Sequence, residues 1–97
     1  MELTLQEYIN WLQRYIIVHS YIYYERNDNV ISDKKYDEMS KELVLYKNDY
    51  PEEWQNSEYY KQFGDEYTGA TGMTLYHDLD EHQKAIIRSI VKSILKR

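Results

Sequence analysis

An apolar row at three- and four-residue spacing runs from Leu5 through Tyr8/Ile9, Leu12, Tyr15/Ile16 and His19 to Ile22/Tyr23. That spacing puts one buried stripe on a helix, and no glycine or proline interrupts it before about Glu25. Thr4 and Glu7 form a capping-box pair at its start, with Leu3 and Tyr8 placed as a hydrophobic staple. Asn27-Asp28-Asn29 is turn chemistry, because these side chains bond their own backbone and tolerate left-handed angles. Ser32 then restarts helix as an N-cap, Asp33 favours the positive helix end, and Ile31 is placed to staple onto Tyr36. The second apolar row is Tyr36, Met39, Leu43, Tyr46 and Tyr50. Pro51 ends it, since the residue before proline avoids helical angles. Two amphipathic helices joined by so short a loop must lie antiparallel.

The remainder supplies cover for that hairpin. Residues 52–63 (EEWQNSEYYKQF) read as a short helix closed by Gly64. All three glycines, Gly64, Gly69 and Gly72, fall within one short stretch, which marks 64–74 as the candidate flexible loop. Met73 to Asp80 fits either extended or docked coil. The last segment, about 78–97, carries a helical pattern from about Asp80 to Leu95, with Ile86/Ile87, Ile90/Val91 and Ile94/Leu95 as its buried row. The expected fold class is therefore all-α: an antiparallel helical hairpin over about 4–26 and 32–50, covered by a short helix and a C-terminal amphipathic helix.

A chain of 97 residues is one domain at most, 1–97, with a modest core. There is no cysteine, which excludes disulfide and thiolate chemistry. No apolar run approaches the ~20 residues of a membrane span, and no signal segment opens the chain, so a cytoplasmic protein is expected. Twelve tyrosines stand against one phenylalanine. The codon bias of an AT-rich genome accounts for that total, but not for the cluster at 21–24. The net charge of −5 is unevenly placed. All seventeen acidic residues precede Lys84, whereas Lys84, Arg88, Lys92, Lys96 and Arg97 follow without one. The acidic body should repel nucleic acid, which ranks that partner low despite the basic row on the last helix.

Catalytic patterns are missing. His19 sits on the apolar row and reads as a packing histidine, while His77 and His82 do not share a helix face. Nothing has zinc spacing, so no metal is expected. There is no glycine-rich phosphate loop and no serine in a nucleophile-elbow context.

What the chain does offer is one corner, YIYYERNDNVISDKKYD from Tyr21 to Asp37. Tyr23 and Tyr24 close the first helix; Asp33, Tyr36 and Asp37 open the second. Asp33 and Asp37, four apart, project along one face with Tyr36 beside them. Aromatic faces attract a flat cationic ring, carboxylates offset its charge, and free amides at the helix start hold a phosphate or hydroxyl. Nicotinamide mononucleotide carries all three groups. A plainer account of the same residues also stands: Asp33 complementing the helix dipole, and tyrosines packing the hairpin.

The stretch LQRYIIVHSYIYYERNDNVISDKKYDEMSKELVLYKNDYPE resembles the N-terminal nicotinamide-nucleotide-binding domain, domain Ia, of NAD-dependent DNA ligases. The shared elements fall at Tyr23-Tyr24, Ser32-Asp33, Tyr36-Asp37, Glu42-Leu43 and Tyr50-Pro51-Glu52, over about the first half of the chain. The resemblance implies a ligand-binding set of Tyr23, Tyr24, Asp33, Tyr36 and Asp37 contacting the nicotinamide half of NAD. Departures are Asn27 and Asn29 where the family has Asp and Pro, and Met39 for Leu. The Lys-x-Asp-Gly adenylation motif is missing, as are the zinc-finger, helix-hairpin-helix and BRCT regions. The chain thus resembles a stand-alone domain Ia, of the kind met in small phage-encoded ligase-related proteins. It is expected to be no enzyme but a module binding nicotinamide mononucleotide or NAD. Two other roles compete: an inhibitor or interaction protein acting on a host enzyme or defence complex, and an accessory subunit for a separate nucleotidyltransferase chain.

Overall fold

The computed structural model describes residues 2–26, 30–69 and 75–95. The turn expected at 27–29, together with Gly72, Met73, Thr74, Lys96 and Arg97, lies outside the described residues. The fold is all-α. Its helices are α1 (Leu5–Glu25), α2 (Asp33–Asp49), α3 (Pro51–Gln55), α4 (Tyr60–Phe63) and α5 (Glu81–Leu95).

Local signals set both ends of the hairpin. The Glu7 amide donates to Thr4 Oγ1 at 3.1 Å, and the Thr4 amide donates to Glu7 Oε1 at 2.9 Å, a complete capping box. Ser32 caps α2 by accepting the Lys35 amide at 3.0 Å. Pro51 occupies the first turn of α3, where its missing N–H costs nothing, so it separates α2 from α3 rather than halting helix altogether. Tyr8, near the start of α1, donates its hydroxyl to Glu42 at 2.7 Å and packs edge-on against Tyr46, late in α2. The two long helices therefore run antiparallel.

α1 is the centre of the molecule, in contact with α2, α3 and α5. Its buried surface is broader than one stripe: besides Ile9, Leu12, Ile16 and Ile22 it buries Gln13, Ile17, Val18 and Ser20. Leu43 of α2, Trp54 of α3, Tyr59, and Ile87 and Val91 of α5 close around it. Burying an aliphatic or aromatic side chain of this kind contributes about 1.5–3 kcal/mol. In α5 only Ile87 and Val91 are fully buried; Ile86, Ile90, Ile94 and Leu95 are half-buried at the edge.

The single helix expected over 52–63 is instead two short helices, and α1 is the reason. Asn10 Oδ1 accepts the Glu58 amide at 2.9 Å, and Gln13 Oε1 accepts the Tyr59 amide at 3.1 Å. Gln13 Nε2 also donates to Ser57 Oγ at 2.8 Å. Two side chains of α1 thus take donors that a continuous helix would have used, and the chain turns at 56–59.

The segment beyond Gly64 is anchored over its described part. Trp54 Nε1 donates to the Gly64 carbonyl at 3.1 Å, and Lys47 Nζ donates to the Asp65 carbonyl at 2.9 Å. Tyr67 is buried against Phe63, with ring centroids 4.8 Å apart. The last helix starts at Glu81, next to the start at about Asp80 that its apolar pattern predicts, so only the head of the 78–97 segment lies outside it. Residues 75–79 form turns that bury Leu75, Tyr76 and Leu79. Asp80 Oδ1 then accepts the Gln83 amide at 2.7 Å, while the Asp80 amide donates to Gln83 Oε1 at 3.3 Å.

Candidate functional site

At the end of the α1–α2 hairpin where the two helices are joined lies a cavity of 390 Å³. Tyr23, Tyr24, Asp33, Tyr36 and Asp37 all line it, so the structure brings the five sequence-selected side chains onto one wall system. His19, Ser20 and Ile22 extend the α1 wall, Val30, Ile31 and Ser32 the side leading into α2, and Gly69 closes the far edge. Tyr21, part of the same tyrosine run, does not reach the cavity lining: its ring packs against Tyr76, centroids 4.4 Å apart.

The lining is graded in exposure. Tyr23 and Tyr24 form the lip, 51% and 45% exposed, with rings meeting edge to face at 4.9 Å. Tyr36 sits deeper and half-buried. Burial pushes its phenol well above the ordinary range, with Tyr67 and Tyr24 nearby adding to the shift and Ser20 opposing it. Its hydroxyl therefore stays protonated and available as a donor. Asp33 and Asp37 are exposed, and Asp37 Oδ2 pairs with Lys41 Nζ at 3.0 Å. A solvent-exposed pair one helical turn apart is worth only about 0.3–0.5 kcal/mol, so a cationic ligand competes with Lys41 at small cost.

The interior side carries His19. It is buried, its ring 4.4 Å from Tyr15, and burial lowers its pKa. A neutral imidazole offers one donor and one acceptor. The helix start adds polarity: the Lys35 amide bonds Ser32 Oγ and the Tyr36 amide bonds the Ser32 carbonyl at 3.0 Å. The amides of Asp33 and Lys34 belong to the first helical turn, which has no intrahelical acceptors.

Ser20 and Gly69 were not legible as lining residues. Ser20 looks like a polar break in the apolar row, and it tucks its hydroxyl onto the Ile17 carbonyl at 3.0 Å. Gly69 lies far along the chain; no local pattern ties it to α2, where a Cβ at its position would sit 3.4 Å from the Ser40 Cβ. Among the described residues, Lys84, Arg88 and Lys92 of the basic row do not line this site. Lys84 lies over the Tyr76 ring at 5.8 Å, and Arg88 donates to the Tyr76 hydroxyl at 2.8 Å.

Among the described residues, no three His, Cys, Asp or Glu side chains gather in a metal-holding group, and no helix is long and apolar enough to cross a membrane. No family model, curated protein or solved structure matches the chain. The chemistry the cavity offers is recognition: stacking faces, two carboxylates, a protonated phenol and the first-turn amides of α2 around a space of small-molecule size.

Proposed function

We propose that this protein is a non-catalytic module that binds a nicotinamide nucleotide in the corner cavity. The observation that carries the reading is the convergence of the Tyr23–Tyr24 lip with Asp33, Tyr36 and Asp37 on one 390 Å³ space. Nicotinamide mononucleotide has a flat cationic ring for the tyrosine faces, hydroxyls and an amide for the carboxylates, and a phosphate for the amides opening α2. The resemblance of the surrounding stretch to ligase domain Ia supports the same ligand. Pocket size supports it too, since small-molecule sites are of the order of 300–1,000 Å³.

Calorimetric or NMR titration with nicotinamide mononucleotide tests the proposal. The wild type should saturate, with shifts at Tyr23, Tyr24 and Tyr36, and Asp33→Ala should bind at least about tenfold more weakly, the scale of a lost charge-assisted hydrogen bond. A silent wild type, or an Asp33→Ala response equal to it, removes the reading.

A further inference from the structure

One wall residue of the corner cavity stands outside the set of Tyr23, Tyr24, Asp33, Tyr36 and Asp37. His19 is only 9% exposed, yet it lines the cavity, one helical turn before Tyr23 on α1. Its ring packs on Tyr15, centroids 4.4 Å apart and planes at 48°. That contact uses the ring and leaves the nitrogens: neither has a hydrogen-bond partner among the described residues. The sealed polar atoms without partners are Ser40 Oγ and Gln62 Oε1. The His19 nitrogens are not among them, so what remains accessible of this ring opens into the cavity it lines.

The other polar groups of the lining are engaged or charged. Ser20 Oγ donates to the Ile17 carbonyl at 3.0 Å, and Ser32 Oγ accepts the Lys35 amide at 3.0 Å. The Tyr36 phenol faces Ser20, and Asp37 holds Lys41. Asp33 and Asp37 carry the lining's only formal charges, and no lysine or arginine joins them. A largely buried polar ring without a partner is unfavourable, which makes His19 the group at the inner wall that an occupant would complete.

The chemistry of that occupant follows from the imidazole. Neutral, it offers one donor and one acceptor, whichever nitrogen carries the proton. A carboxamide, with its carbonyl and its NH2, answers both. A carboxylate only accepts, so it answers one, and Asp33 and Asp37 repel it with no lining cation in compensation. An imidazolium would suit a carboxylate, but burial disfavours that form of His19. The electropositive spot in the lining is the first turn of α2, which serves the phosphate. We infer that His19 is a specificity-determining residue that anchors the ring carboxamide, so that the site selects the amide form of a pyridinium nucleotide over the acid form, a role that rests on the nicotinamide-nucleotide reading of the cavity.

The test compares nicotinamide mononucleotide with nicotinate mononucleotide by calorimetry, above the ordinary imidazole range. Both are titrated into the wild type, His19→Leu and His19→Gln, with urea midpoints to establish folding. The wild type should favour the amide form by at least about tenfold, the scale of one unmatched polar group. His19→Leu should bind the amide form about tenfold more weakly and lose most of the preference. His19→Gln, which keeps a donor and an acceptor, should retain part of it. NMR of the histidine ring nitrogens needs no variant: nicotinamide mononucleotide should shift those of His19, while His77 and His82, exposed and outside the lining, stay in place. Three results overturn the role of His19 and leave the nucleotide reading standing: the acid form binding as tightly as the amide, a folded His19→Leu that keeps the preference, or unmoved His19 nitrogens in a saturated complex. A wild type silent to both nucleotides removes the nucleotide reading and the role of His19 with it.

Discussion

Gln13 accepts the backbone amide of Tyr59 at 3.1 Å while donating to Ser57 at 2.8 Å, so one fully buried amide group fixes the path of the chain through its break at 56–59. Gln13→Ala strands the Tyr59 amide and leaves a void beside Ser57. An unsatisfied buried donor costs about 1–3 kcal/mol, and the void adds to it. Urea denaturation should show a loss of about 2–4 kcal/mol. Asn10→Ala, at a partly exposed position, should cost less.

The Tyr8–Glu42 bond predicts alkaline behaviour. Burial, with the Glu42 carboxylate next, raises the Tyr8 phenol from 10.0 to about 12. A group whose folded pKa is raised contributes stability that is fully present below its unfolded value and lost as pH rises through the folded one. Stability should therefore fall between pH 10 and about 12, and Tyr36, raised by burial, extends the loss upward. Tyr8→Phe should cost about 1 kcal/mol at neutral pH and remove part of the alkaline slope. Chemical denaturation across that range, with absorbance at the phenolate band, checks both.

His19 predicts the opposite limb. Burial lowers its pKa from 6.5, so its neutral form is the one the fold favours. Its contribution is complete above pH 6.5 and is lost as pH falls through the folded value. Urea midpoints should decline with acidification below that point, and His19→Gln should flatten the decline. An unchanged pH profile in His19→Gln would show that the ring titrates freely.

The two described glycines should respond differently to alanine. Gly64 has φ 70 and ψ 174 with open space around its missing Cβ. That backbone region is essentially glycine-only, so Gly64→Ala costs about 1–3 kcal/mol from strain alone. Gly69, at φ 82, adds a contact of 3.4 Å with the Ser40 Cβ. Gly69→Ala should therefore destabilise and also weaken any ligand of the corner cavity, whereas Gly64→Ala should leave affinity intact. Thermal unfolding with and without nicotinamide mononucleotide separates the two.

Features set by neighbours in sequence were legible, and those set by distant partners were not. Thr4 with Glu7 and Ser32 with Lys35 each cap a helix within four residues, so pattern and structure agree there. The five cavity residues were found because they flank one short connection. The division of 52–63 was missed because its acceptors, Asn10 and Gln13, sit in another helix, and an isolated glutamine in an amphipathic row looks solvent-facing. Gly69 escaped for the same reason: its neighbours Ser40 and Val44 belong to α2.

Because Gly69 shares the cavity wall with Asp33 and Tyr24, whatever occupies that space touches both the opening third of the molecule and the strap that returns from α4. An occupant would work as a rivet. Its binding free energy would resist peeling of the strap as much as splaying of the long helices, and amide protons on both should exchange more slowly together once it is bound.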